Sequence, residues 1–163
     1  MFSTIKTRLH DMKVLRAICE GAERHALADQ CRRPGAEHFM LAAIDLPDGT
    51  ARLAFQQIGA DPEAFRSAIQ SQYAEALAGT GIDPEWLMPD PLPLQSGLYS
   101  AAPSEADVIS SLSRRPKASG GLKGADVVAV IAAMDQGVSA RALRSINADR
   151  AALRDVAERM CLV

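Results

Sequence analysis

Ile58-Gly59-Ala60-Asp61 returns 88 positions later in the chain as Ile146-Asn147-Ala148-Asp149. In both stretches an apolar residue is followed by Gly or Asn, the residues that best tolerate the left-handed backbone at the end of a helix. Aspartate then stands where a side-chain carboxylate accepts hydrogen bonds from the first amides of the next helix. Each stretch therefore predicts a short connection between two helices, and the recurrence predicts two copies of one helical unit.

The same offset aligns residues 38–66 with residues 126–154 without a gap. Apolar positions coincide along this alignment, and they recur at the spacing of three and four that places side chains on one helix face. The coinciding pairs are Phe39 with Val127, Met40 with Val128, Ala43 with Ile131, Phe55 with Leu143, Ile58 with Ile146 and Phe65 with Leu153. We therefore expect an all-α protein of eight helices, arranged as two pseudo-symmetric sets of four.

The composition agrees with a helical protein. Alanine, the strongest helix former, accounts for 29 of the 163 residues, whereas aromatic residues, which favour strands, make up 4%. The formal net charge of −2 at pH 7 argues against a dedicated nucleic-acid-binding protein, which usually carries a basic face.

The chain also lacks the sequence features of membrane and secreted proteins. Its longest apolar run, residues 127–134, is shorter than the ~18 residues of a membrane span. The first residues do not contain the apolar stretch of a secretory signal. Three cysteines form an odd and sparse set, which is typical of a cytoplasmic protein with reduced thiols. They are Cys19, Cys31 and Cys161.

One domain is expected over residues 1–163, because a domain usually contains roughly 100–200 residues. Within it we place a first repeat at residues 1–78, a proline-rich connection at residues 79–103 and a second repeat at residues 104–163. The connection contains Trp86, the only tryptophan, among several other apolar residues. We therefore expect the connection to pack on the body of the protein.

The first repeat carries a motif that resembles a known family. Gly35-Ala36-Glu37-His38-Phe39-Met40-Leu41-Ala42, followed by Gly49-x-Ala51-x-x-x-Phe55-x-x-x-Gly59-Ala60-Asp61, is similar to the Clp repeat. That repeat forms the N-terminal domain of Clp-type protein-unfolding ATPases, and the likeness is greatest to the ClpC type. The resemblance covers about residues 14–77 well and about residues 98–160 more loosely.

The resemblance implies a protein-binding domain and not an enzyme. In bacterial ClpC-type proteins this domain recruits adaptors and substrates, including arginine-phosphorylated ones. No G-x-x-x-x-G-K-[ST] motif is present, so ATP hydrolysis by a P-loop is not expected. The implied protein is a stand-alone cytoplasmic adaptor, regulator, substrate receptor or decoy. Its implied partners are Clp ATPase or protease components, adaptors and substrates, with no cofactor, metal, nucleic acid or membrane.

The resemblance places the peptide-binding site at the start of the second helix of each repeat. Glu37 matches the acidic residue that recognises the guanidinium of phosphoarginine, and Ala36 precedes it. A carboxylate forms paired hydrogen bonds with a guanidinium, and nearby helix amides favour a phosphate. The alternative is that Glu37 only offsets the helix dipole.

The second repeat departs from this pattern. The 88-residue offset places Ala125 opposite Glu37 and Asp126 opposite His38. Asp126 replaces the acid only if the helix start shifts by one residue. The alternative interpretation is that Asp126 is the N-cap of its helix, which leaves two equivalent arginine sites doubtful.

Other candidate residues have simpler interpretations. His38 is more typical of a hydrogen-bonded structural residue than of a ligand. A zinc site is only weakly suggested, since no closely spaced Cys or His pair supports it. A lowered pKa at Cys31, next to two arginines, is the alternative to a packed, unreactive thiol. The residues that would form the zinc site are Cys19, His25, Cys31 and His38.

Two basic clusters, residues 32–34 and 114–117, suit a phosphate or an acidic partner, although solvated loop charge is the default interpretation. No arrangement of catalytic residues is present, and no feature identifies a small-molecule ligand. The main alternative to peptide binding is a structural or oligomerisation domain that has lost ligand recognition.

Overall fold

A computed structural model describes residues 2–79, 105–115 and 120–162. These residues form eight α-helices and no strand, which confirms the all-α prediction. Residues 80–104 and 116–119 lie outside the described part, and so do the predicted packing of the proline-rich connection and two of the four residues of the second basic cluster. The helices are α1 Phe2–Ala28, α2 Ala36–Ile44, α3 Thr50–Gln57, α4 Pro62–Gly79, α5 Glu105–Arg114, α6 Gly124–Ala132, α7 Val138–Ser145 and α8 Arg150–Cys161.

The helix connections follow the local chemistry predicted for them. Gly59 and Asn147 both have positive φ, 71° and 55°, at the ends of α3 and α7. Asp149 caps α8, where its carboxylate accepts hydrogen bonds from the amides of Ala151 and Ala152 at 2.9 and 3.2 Å. Asp61 accepts from the amide of Glu63 at 2.9 Å in the same way at the start of α4. Both predicted turns are therefore confirmed.

The helix starts also follow the 88-residue offset. Helices α2 and α6 have the same length and begin at Ala36 and Gly124. Helices α3 and α7 begin at Thr50 and Val138, and both contain eight residues. Helix α8 begins at Arg150, which lies 88 positions after Pro62, the first residue of α4.

The core is built around α2 and α6, in which every residue is buried. These two helices pack against each other, α1 packs on α2, and α8 packs on α6. Helix α3 also contacts α8, and α4 contacts α7, so the two halves share one core. The predicted inward side chains Phe39, Met40, Ala43 and Ile44 are at most 1% exposed.

Helix α1 begins at Phe2 and, with 27 residues, is the longest of the described helices. Its N-terminal part contacts the second half of the chain through Asp11, which is buried and accepts a hydrogen bond at 2.7 Å from the amide of Leu122. Among the described residues, no helix combines the length and the apolar character that crossing a membrane requires.

Candidate functional site

Glu37 occupies the second position of α2 and is buried, with 3% of its surface exposed. The preceding residue, Ala36, is 1% exposed. The helix start is fixed by the third helical residue, since Nδ1 of His38 accepts a hydrogen bond at 2.9 Å from the amide of Gly35. The predicted recognition residue therefore lies beneath the surface at a well-defined helix start.

The two oxygens of the Glu37 carboxylate have different surroundings. Oε1 accepts a hydrogen bond at 2.5 Å from the hydroxyl of Tyr73 on α4, and Nδ1 of His38 lies 3.6 Å away. Oε2 is buried without a hydrogen-bond partner in the described part of the chain. Burial of a carboxylate oxygen without a hydrogen-bond donor costs free energy. A donor placed next to Oε2 would therefore lower the free energy of this site.

Gly35 lies directly against this carboxylate. A Cβ atom on Gly35 would lie 2.5 Å from Oε1 and 2.7 Å from Oε2 of Glu37. The φ of Gly35 is −100°, which any residue can adopt. Its missing side chain, and not its backbone conformation, is what lets the carboxylate fold back over the start of α2.

Two protonated groups surround the carboxylate. Burial, together with the neighbouring Glu37 charge, raises the pKa of the Tyr73 phenol well above its usual range. Burial also raises the pKa of the Cys31 thiol, and the carboxylates of Glu37 and Asp29 add to that shift. The pKa of Cys31 is therefore shifted in the direction opposite to the lowered value considered for it, which favours the alternative of a packed, unreactive thiol.

His38 is a hydrogen-bonded core residue in this structure. It is 0% exposed, and its Nε2 lies 3.2 Å from Oδ2 of Asp29. Its ring stacks on Tyr73 with the two planes 11° apart and the centroids separated by 6.2 Å. Both ring nitrogens are engaged within the protein, which agrees with the structural interpretation of this histidine.

Asp126 is the third residue of α6 and is 6% exposed. Its Oδ2 accepts a hydrogen bond at 2.9 Å from the amide of Lys123, and its Oδ1 lies 3.6 Å from Nε of Arg115. The N-cap position belongs to Lys123, so the N-cap interpretation of Asp126 is wrong. The helix start does not shift relative to α2, and Asp126 takes the place of His38 while Ala125 takes that of Glu37.

Two residues of the first half complete the start of α6, and sequence reasoning missed both of them. The amide of Gly124 donates to Oδ2 of Asp48 at 2.7 Å, and the amide of Ala125 donates to Oγ1 of Thr50 at 2.8 Å. Asp48 also makes a local contact, since its Oδ1 accepts from the amide of Thr50, but the amide that donates to its Oδ2 lies 76 residues away.

The start of α2 has no such arrangement. Within the described residues, the amides of Ala36 and Glu37 have no hydrogen-bond acceptor. The residues that match Asp48 and Thr50 at the 88-residue offset are Gln136, which is exposed, and Val138, which has no hydroxyl group. The first amides of α6 therefore donate hydrogen bonds to side chains, whereas those of α2 have no such acceptor among the described residues.

The four residues of the weak zinc prediction are not brought together. Nε2 of His25 lies 2.7 Å from Oδ2 of Asp45, whose other oxygen is 3.2 Å from Nη2 of Arg66. No group of three or more metal-ligating side chains occurs in the described ranges. Shallow depressions mark the outer surfaces of α1 and α8, away from Glu37 and Asp126.

Comparison with known proteins does not identify the chain. No model of a protein family matches it, and no curated protein matches it either.

Proposed function

We propose that this chain is a non-catalytic protein- or peptide-binding module of the Clp proteolysis system, built from two pseudo-symmetric four-helix Clp repeats. In this role it acts as an adaptor, regulator, substrate receptor or decoy in the bacterial cytoplasm. The proposal rests on the sequence resemblance of the first repeat. The matching starts of the helix pairs α2 and α6, and α3 and α7, support the two-repeat arrangement.

The observation that carries the binding site is the unpaired Oε2 of Glu37 beside the unused amides of Ala36 and Glu37 itself. A phosphoarginine side chain offers a guanidinium, which donates to a carboxylate, and a phosphoryl group, which accepts from helix amides. The carboxylate and the amides that would bind these two groups lie within the first turn of α2. The start of α6 is not a second equivalent site in this proposal, because Asp48 and Thr50 already accept from its first amides.

Entry of a guanidinium requires the buried carboxylate to become accessible. The Tyr73 hydroxyl holds Oε1 and therefore competes with an arriving donor. Tyr73 lies on α4, six residues before the end of the described part of that helix. We propose that the ligand displaces this hydroxyl, so that Tyr73 controls access to the Glu37 carboxylate.

A titration with a phosphoarginine-containing peptide tests the proposal. The wild-type protein is compared with Glu37→Gln, with Tyr73→Phe and with Glu75→Gln as the matched control on exposed α4 surface. We expect Glu37→Gln to weaken binding at least about tenfold, because it removes a charge-assisted pair. We expect Tyr73→Phe to strengthen binding, because it frees Oε1, and Glu75→Gln to leave binding unchanged.

The same titration with an unphosphorylated arginine peptide separates the two contacts. Weaker binding of that peptide supports a phosphate contact at the α2 amides. Equal binding of wild-type protein and Glu37→Gln would overturn the site. Circular dichroism of each variant shows whether a lost affinity reflects a lost fold.

The second candidate function is a structural domain that has lost ligand recognition. Two observations favour it. Glu37 is only 3% exposed, and the first two amides of α6 already donate hydrogen bonds to Asp48 and Thr50. This candidate predicts no binding of either peptide by the wild-type protein or by Tyr73→Phe. Binding that appears only in Tyr73→Phe would identify a site that the tyrosine keeps closed.

A further inference from the structure

His38, at the third position of α2, is a fully buried histidine with hydrogen-bonding groups at both ring nitrogens. Its Nδ1 lies 2.9 Å from the backbone nitrogen of Gly35, which carries a proton and can only donate. Nδ1 is therefore the unprotonated nitrogen that accepts this bond. The ring proton is then on Nε2, which donates to Oδ2 of Asp29 at 3.2 Å. These contacts define His38 as a neutral imidazole with its proton on Nε2.

Two carboxylates, a phenol and a thiol surround this imidazole. Asp29 follows α1 and accepts from Nε2, whereas Oε1 of Glu37 lies 3.6 Å from Nδ1. The ring of Tyr73 on α4 stacks against His38, and the Tyr73 hydroxyl donates to the same Oε1 of Glu37. Sγ of Cys31 lies 3.6 Å from the backbone oxygen of Asp29. His38 therefore links the groups that determine the hydrogen bonds of Glu37.

A second proton on the His38 ring can bind only at Nδ1. Protonated Nδ1 is a donor that would face the N–H of Gly35, so the hydrogen bond between them is lost. Oε1 of Glu37 is the acceptor within reach of the new N–H, and it would exchange the Tyr73 hydroxyl for a charged donor. Glu37 then forms an ion pair within the protein, and its charge is no longer available to a guanidinium.

The matching position of the second half shows that closing the helix start does not require a histidine. Asp126, which lies 88 residues after His38, accepts from the amide of Lys123 at 2.9 Å in the same way. An aspartate at position 38 would add a permanent negative charge beside Glu37. Histidine provides the acceptor in a neutral form, and its ordinary change of charge falls between pH 5 and 8. The property that distinguishes His38 from Asp126 is therefore its ability to gain a proton.

We propose that neutral His38 is a positioning residue for Glu37 and that protonation of His38 closes the candidate site. Neutral His38 accepts from Gly35 and leaves the Glu37 carboxylate to Tyr73 and to a ligand. Protonated His38 donates to that carboxylate itself. The proton switch rests on the contacts of His38 alone, whereas its effect on an arginine-containing ligand rests on the proposed function.

A pH titration of the complete chain by NMR, without ligand, tests the switch. At pH 7.5 the nitrogen spectrum should show an unprotonated Nδ1 and a protonated Nε2 for His38. Between pH 7.5 and pH 5 we expect Nδ1 to become protonated. The hydrogen-exchange protection of the Gly35 amide, corrected for intrinsic exchange, should fall about tenfold because the acceptor is lost. A His38 ring that stays neutral at pH 5, or Gly35 protection that does not change when the ring is protonated, overturns the proposal.

Three variants assign the response to one histidine. In His38→Gln the side-chain oxygen can accept from the Gly35 amide, as in a capping box, but it does not titrate. Gly35 protection should then be independent of pH in this range. His25→Gln changes a histidine that contacts Asp45 instead, and His10→Gln changes an exposed one, so both should keep the wild-type response. A response of wild-type size in His38→Gln overturns the proposal.

Binding of an unphosphorylated arginine peptide at pH 7.5 and pH 5 measures the effect on the site, because a guanidinium does not titrate between these values. The wild type should bind about tenfold more weakly at pH 5, since the ion pair with His38 cancels the charge of Glu37. His38→Gln should bind equally at both pH values. Equal binding by the wild type at both values overturns the effect on the site. No binding at either value overturns the proposed function, whereas the NMR titration decides the proton switch independently.

Discussion

Helices α2 and α6 begin 88 residues apart in the sequence, contain the same number of residues and are both fully buried. Their first backbone amides, however, differ in their hydrogen bonds. The first amides of α6 donate to Asp48 and Thr50. Those of α2 have no acceptor in the described part of the chain, and a carboxylate with one unpaired oxygen lies beside them. The two helix starts thus share the same position in the 88-residue offset, but among the described residues only the first amides of α6 donate hydrogen bonds to side chains.

Replacement of Asp48 should have the largest effect on this comparison. Asp48→Ala removes the acceptor for the amide of Gly124 and for the amide and hydroxyl of Thr50. We expect the free energy of unfolding to fall by about 3 kcal/mol, since hydrogen bonds to a charged group are lost and a buried amide is left unpaired. Urea denaturation followed by circular dichroism measures this change.

Two controls accompany the Asp48 variant. Gln136→Ala changes the matching residue of the second half, which is exposed, and should cost less than about 0.5 kcal/mol. Asp48→Asn keeps an oxygen acceptor and should lose less than Asp48→Ala. Equal losses at positions 48 and 136 would show that the two helix starts do not differ as described.

Gly35→Ala should have the next largest effect, because the new Cβ would lie 2.5 Å from Oε1 of Glu37. The carboxylate must move away and give up the hydrogen bond from Tyr73, which we expect to cost about 2 kcal/mol. Lys123 occupies the matching position before α6 and already has a side chain, so Lys123→Ala should cost about 0.5 kcal/mol or less. Thermal unfolding of both variants measures the difference, and a fully stable Gly35→Ala would contradict it.

The smallest expected effect is an alkaline pH dependence that arises beside α6. Burial, followed by the hydrogen bond and charge of Asp126, raises the pKa of the Cys161 thiol to about 12. Because the folded state holds this proton more tightly than the unfolded state, its stabilising contribution is complete below the unfolded thiol's pKa, near 9. That contribution is lost as the pH rises from about 9 towards 12.

Denaturation of wild-type protein and Cys161→Ala at pH 7.5 and 9.5 measures this contribution. We expect the wild type to lose on the order of 1 kcal/mol more than the variant between these two pH values. The comparison between proteins cancels the titration of other groups. An identical pH dependence in both proteins would show that this thiol does not titrate differently on folding.

Local sequence signals predicted the helices well because the relevant contacts are local. Asp61 and Asp149 cap helices through amides two or three residues away, and Gly59 and Asn147 supply the positive φ that ends the preceding helix. These interactions are complete within a few residues of sequence. The starts of α4 and α8 were therefore predictable without knowledge of the tertiary structure.

The candidate site was less predictable because its contacts are remote in sequence. The burial of Glu37 depends on a hydrogen bond from Tyr73, 36 residues away. Thr50 reaches the amide of Ala125 across 75 residues. The sequence pointed to both Glu37 and Asp126 as acidic residues at helix starts. Only the tertiary structure shows that Glu37 has one oxygen without a hydrogen-bond partner, whereas Asp126 accepts a hydrogen bond from the backbone before its helix.

The hydrogen bonds from α6 to Asp48 and Thr50 also have a consequence for folding. They join residues that lie 76 and 75 positions apart in the sequence. The first amides of α6 therefore have their acceptors only after the turn that contains Asp48 and Thr50 has formed. Contacts of such long range slow folding, since the chain entropy of loop closure must be lost before they form. They also make the two halves a single cooperative unit, and a fragment that contains only the second half would lack the acceptors of its most buried helix.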